Sequence, residues 1–136
     1  VPYTIRTLKE EKMAKGKISE ILEDFRKEVS GFISTDVVSL TDGISIGGGS
    51  IDPKFDSSVA SAYYAAVVSA YIKAIEAIDP TLEPEDLLIT TDKMTILLRI
   101  LGSTGYSHGL AVTNESNLGI CRLVMKKFES VIEKVM

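Results

Sequence analysis

The stretch Ser57 to Ile78, SSVASAYYAAVVSAYIKAIEAI, carries only two charges, Lys73 and Glu76. It reads as one long helix. Asp56 stands where an N-cap belongs, and Asp79-Pro80 stops the run because proline cannot continue a helix. On the helical wheel, Val67, Tyr71, Tyr64, Ile75, Val68 and Ile78 fill a broad arc of large apolar residues. Ser58, Ala62, Ala66, Ala70 and Ala74 form a row of small residues at a spacing of four. A helix apolar on most sides must be buried on most sides. A chain of 136 residues has little else with which to cover it.

A second copy of the chain is the natural cover. Ridges at a spacing of four pack into the grooves of a neighbouring helix, and small side chains let two backbones approach closely. The expected homodimer interface is therefore Ser58, Ala62, Ala66, Ser69, Ala70, Lys73 and Ala74. The large arc, with Val67 and Tyr71, is expected on the chain's own sheet. The reverse assignment, small row inward and tyrosines outward, stays open.

Charge and composition exclude several classes. The uncharged part of the helix, Ser57 to Ile72, is short of the roughly 20 strongly apolar residues of a membrane span. It also holds five alanines and four serines. No membrane insertion is expected, and no signal-peptide pattern is read at the N-terminus. A cytoplasmic, intracellular protein is the expectation. The net charge of −4 argues against a nucleic-acid surface, which attracts basic patches. The one close basic cluster, Arg122, Lys126 and Lys127, reads as a solvated helix face. The single cysteine, Cys121, permits no intrachain disulfide and reads as a small core residue among Leu118, Leu123, Val124 and Met125. The single histidine, His108, has no partners at metal-binding spacing, so no metal is expected.

Before the long helix, residues 1–16 show no sustained periodicity and six charges between Arg6 and Lys15. They read as a mobile lead-in, with Met13 a candidate start. A first helix is expected from about Lys17 to Val29, on the stripe Ile18, Ile21, Leu22, Phe25 and Val29. Ser30-Gly31 ends it, with Gly31 suited to a left-handed cap. Two strands follow, Asp36 to Thr41 and Ile44 to Gly47. The Asp42-Gly43 between them predicts a two-residue hairpin with Thr41 opposite Ile44 and Ser39 opposite Ile46. Apolar residues on both faces of this pair predict a sheet covered on both sides.

The run Gly47-Gly48-Gly49 invites a phosphate-loop reading. Ser50, Ile51, Asp52 and Pro53 follow it, so the lysine of a P-loop is missing and Lys54 comes too late. The dinucleotide spacing is absent, and Asp52 and Asp56 would repel a phosphate. The glycines are expected to let a strand end turn sharply towards the helix. No cofactor is expected. Three more strands are read at Leu87 to Thr91, Met94 to Leu101 and Gly109 to Thr113. A last helix opens near Ser116 or Asn117, on Leu118, Cys121, Met125, Phe128, Ile132 and Val135.

The order is α-β-β-α-β-β-β-α, an α/β (α+β) chain with five strands, mostly antiparallel, and helices on both faces. With EVSGF at Glu28 to Phe32, TDGISIG at Thr41 to Gly47, and the closing TNESNLGICRLVMKKFESVIEKV, it resembles a Roadblock domain. Leu118-Gly119 and Arg122 sit as in that family's LG..R pattern. The likeness covers residues 17–136. The family includes roadblock-type dynein light chains and bacterial and archaeal regulators of small Ras-like GTPases. The resemblance implies a profilin-like sandwich that dimerises through its second helices, and a non-catalytic regulator or scaffold for a small Ras-like GTPase.

Two other functions compete. A profilin-like fold can hold a small-ligand pocket, and Tyr63, Tyr64, Tyr71 and Tyr106 could line one. Ser107-His108 could be read as nucleophile and base, although adjacent residues rarely aim at each other and no orienting acid is marked.

Overall fold

The computed structural model describes residues 7–54 and 57–136. Within them the order is α1 (Leu8–Lys27), β1 (Phe32–Ser39), β2 (Ser45–Ser50), α2 (Ser57–Ile78), β3 (Asp86–Thr90), β4 (Met94–Ile100), β5 (Tyr106–Thr113) and α3 (Leu118–Glu133). The strands form one sheet in the order β2-β1-β5-β4-β3, and every neighbouring pair is antiparallel.

Side chains alternate across a strand, and this divides the molecule into layers. Val37 points to the face where Leu97, Leu110 and Val112 meet Ile18, Leu22 and Phe25 of α1 and Cys121, Met125, Phe128 and Ile132 of α3. Asp36, the neighbouring residue, points the other way and meets Ser61 of α2. Two helices thus cover one face and α2 alone covers the other. Phe25 centres the larger core, edge-on to Phe128 at 5.5 Å between ring centroids and to His108 at 4.7 Å. Asn117 caps α3 as its sequence suggests, its side chain accepting from the Ile120 N–H at 3.0 Å.

Three expectations are corrected. First, α1 begins at Leu8, not near Lys17, so residues 8–16 belong to the first helix. Of these nine, only Ala14 is buried, extending the stripe Ile18, Leu22, Phe25 by one turn with a side chain too small to mark a face. The start is set by a cap: the Thr7 hydroxyl accepts from the Glu10 N–H at 3.1 Å. Thr7 and Glu10 hold the spacing of a capping box. Gly31 does take a left-handed φ of +74°, but in the turn before β1 rather than at the helix end, where Glu28 is the cap. The proposed N-cap of α2, Asp56, lies outside the described residues.

Second, the hairpin is longer than two residues. Ser39 donates its N–H to Ile44 O at 3.0 Å, Gly43 donates to Ser39 O at 2.9 Å, and Val38 pairs with Ser45. Asp42 and Gly43 do build the turn. The Asp42 carboxylate accepts from the Ile44 N–H at 3.0 Å, and Gly43 takes φ +75°. Leu40 and Thr41 join the loop because a bulge between Val37 and Val38 shifts the register.

Third, Gly47, Gly48 and Gly49 do not turn the chain towards the helix. They lie inside β2, opposite Val37, Asp36 and Thr35. A Cβ on Gly47 would stand 2.6 Å from Ile18 Cγ2, and one on Gly48 would overlap the Thr35 carbonyl. Close approach of α1 and of β1 requires glycine at Gly47 and Gly48, whereas a Cβ on Gly49 would meet nothing within 4 Å.

Candidate functional site

The sheet-facing side of α2 is narrow. Ser61, Ala65 and Val68 are buried, while Tyr64, Tyr71, Ile72 and Ile75 are half-buried beside them. Apart from the half-buried Ala60 and Ser69, the other described side chains of the helix are exposed. Of the seven residues expected at an interface, Ser58, Ala62, Ala66, Ala70, Lys73 and Ala74 are exposed and Ser69 is half-buried. The row of small residues is therefore on the open side of the chain. Val67 departs from expectation. It is 40% exposed and belongs to the outer face, whereas Tyr71 keeps contact with the protein's own body. Val59, Tyr63 and Ile78 join it, with Tyr63 at 70% and Ile78 at 72% exposed.

The outer surface of α2 is thus a strip of alanines bordered by valine, tyrosine and isoleucine. Lys73 and Glu76 are its only charged residues among those described. The β1–β2 loop continues it: Gly43 lies against Ala62, and Ile44 beside it is exposed. A contiguous apolar strip of this kind makes the outer side of α2 the candidate interaction surface. By length and composition alone Ser58–Ile78 also passes as a membrane span. Its seating on β1, β2, β4 and β5 makes it a helix of the sheet instead.

Beneath α2 sits a feature that the sequence reading did not single out. The Asp36 carboxylate is 6% exposed and accepts a short hydrogen bond from the Ser61 hydroxyl. Gly109 on β5 makes room for it, since a Cβ there would overlap Asp36 Oδ1. Burial raises the Asp36 carboxyl to about 6, against the opposing pull of the Ser61 hydrogen bond. Burial and the charge of Asp36 also push the Tyr64 phenol upward. A lone aspartate inside FISTDVVS, flanked across the sheet by glycines, is the signal that could have found it.

The other candidates disperse. Ser107 and His108 point to opposite faces of β5, so they form no nucleophile–base pair. The Thr35 hydroxyl donates to Gly109 O at 2.7 Å and therefore accepts from His108 Nε2–H at 2.9 Å. That leaves a neutral imidazole in the core. Burial, then the charge of Arg99, lowers it to about 3. Tyr106 packs on the face of α1 and α3, opposite to Tyr64, so the tyrosines line no common pocket. Cys121 is buried as expected. Arg122 and Lys127 of the basic cluster pair with Asp86 at 3.1 Å and Glu28 at 2.6 Å. No group of metal-binding side chains occurs among the described residues.

No protein-family model matches the chain, and no curated protein matches it. Solved structures do match in fold. A Roadblock/LC7 domain from Streptomyces avermitilis superposes with a TM-score of 0.78 at 14% identity, over 87% of this chain and 96% of that one. Myxococcus xanthus MglB superposes with a TM-score of 0.73 at 17% identity, over 98% and 97%. A structure described as MglB with tetrameric arrangement gives 0.77 at 14% identity, over 99% and 96%. The chain has the Roadblock fold.

Proposed function

We propose that this chain is a cytoplasmic, homodimeric, non-catalytic module that binds a small Ras-like GTPase and modulates its activity or location. The observation that carries the dimer is the outer strip of α2, where a helix apolar on most sides has only a narrow side against its own sheet. Two copies laid along Ala62, Ala66, Ala70 and Ala74 would cover it. The helix is about 33 Å long at 1.5 Å per residue, enough for an extended helix pair. The tetrameric arrangement of one MglB structure supports self-association in this fold. The GTPase reading draws on the Roadblock resemblance and on the MglB neighbours. The absence of a convergent pocket around the four tyrosines disfavours a ligand sensor.

Ala66→Arg tests the dimer. It would place two charges near the symmetry axis, where desolvation is costly. The expected product is a folded monomer by circular dichroism and light scattering. A folded variant that is still dimeric rejects the small-row face, and a monomeric wild type rejects the dimer. The GTPase partner is tested separately, by affinity capture from source-cell extract with GTP or GDP added. Nucleotide-dependent retention of a Ras-like GTPase is expected. Its absence with a well-folded bait rejects that partner.

A further inference from the structure

We propose that Asp36 and Ser61 form a proton-operated latch that seats the interface helix α2 on the sheet, so that protonation of Asp36 strengthens self-association. This rests on the reading of α2 as the interface. The bond joins β1, next to the sheet edge, to the inner side of a helix that has few other buried residues. It is one of the few polar ties of α2 to the sheet among the described residues.

The surroundings favour the protonated form. Ser61 and Tyr64 face the carboxyl from α2, Gly48 from β2 and Gly109 from β5. His108, next along β5, projects through the opposite face to Thr35 and Phe25. No salt bridge among the described residues includes Asp36. An ionised carboxylate offers several acceptor sites and asks for more donors than one hydroxyl. Water can supply them only if α2 lifts. A protonated carboxyl needs no such hydration, and the helix stays down. Asp36 changes state at about pH 6, so the latch would respond to mild acidification. One proton per protomer limits the response to about tenfold per pH unit in each copy, and so to about a hundredfold in the dissociation constant of the dimer.

The test is sedimentation equilibrium of the wild type, Asp36→Asn and Ser61→Ala from about pH 4 to about pH 7, spanning the window between 3.8 and about 6. The wild-type dissociation constant should rise as pH climbs from 3.8 to about 6, by up to about a hundredfold per unit, and level off above about 6. Asp36→Asn should hold one value throughout. Ser61→Ala should keep the transition but move it to higher pH, because the Ser61 bond lowers the Asp36 pKa. Equal pH dependence in wild type and Asp36→Asn would overturn the latch, as would an unmoved transition in Ser61→Ala if the asparagine variant does not fold. Should the wild type be monomeric at every pH, the dimer reading fails and the latch is read by hydrogen exchange of the α2 amides. After correction for intrinsic exchange, wild-type protection should fall as pH rises from 3.8 to about 6 and level off above it, and Asp36→Asn protection should not change. Identical protection would overturn it.

Discussion

Asp36 and His108 lie on adjacent strands and titrate in opposite senses, so removing one should expose the other. His108 is held near 3 against an ordinary value of 6.5. Its contribution to stability is present above 6.5 and is lost as pH falls through that window. Asp36 is held near 6 against 3.8. Its contribution is present below 3.8 and is lost as pH rises through 6. Between 3.8 and 6 the unfolded chain holds one extra proton on His108, and the folded chain holds one extra on Asp36. The two slopes, each about 1.4 kcal/mol per pH unit, cancel there.

The perturbation is Asp36→Asn. The variant keeps the His108 slope and loses its opponent. Relative to wild type it should lose about 3 kcal/mol between pH 6 and pH 3.8, since the window of about 2.2 units is multiplied by about 1.4 kcal/mol. Other carboxylates act equally on both proteins, and any offset from the amide itself does not change with pH. The measurement is urea denaturation followed by circular dichroism, at one protein concentration, in steps of pH across that window. Parallel curves for variant and wild type would refute the reasoning, because they would mean that Asp36 releases its proton alike in both states.

Three further outcomes follow from other positions. Gly16 lies inside α1, and a Cβ there would meet nothing within 4 Å. Gly16→Ala should therefore stabilise by about 0.5–1 kcal/mol in a thermal melt, and no gain would argue that residues 8–16 are not helical in solution. Gly109→Ala should destabilise by about 1–3 kcal/mol, since its Cβ would overlap Asp36 Oδ1 and stand 3.2 Å from Leu98 Cδ2; a neutral result in chemical denaturation would contradict the tight seat drawn for Asp36. GTP with magnesium should give no heat beyond dilution in isothermal titration, because Gly47, Gly48 and Gly49 are paired within β2 and cannot wrap a phosphate; micromolar binding would reverse that reading.

What the sequence made legible is what period and charge can encode. The uncharged run and Asp79-Pro80 placed α2, and the stripe Cys121, Met125, Phe128, Ile132 placed α3, because each buried face repeats along one element. The failures share a different cause. Gly47 and Gly48 of β2 are explained by Ile18 and Thr35, residues far off in sequence or on another strand. The first turns of α1 rest on a Thr7 cap and one alanine, which leave no apolar period. The hairpin register differs because of the irregularity between Val37 and Val38, which leaves no mark in the apolar pattern.

The same limit explains the site. A helical wheel shows that α2 is apolar on most sides, but not which arc its own sheet takes. Seating is decided by fit: Ser61 must reach Asp36, and Ala65 and Val68 fall on the same side at helical spacing. Once that side is turned to the sheet, Val67 has no choice but to face out with Ala66 and Ala70, since adjacent helical residues are about 100° apart. The polar tie underneath therefore determines which apolar face is left on top. An aspartate that looks like a misplaced charge in a strand becomes, in the folded chain, the residue that orients the helix a partner would meet.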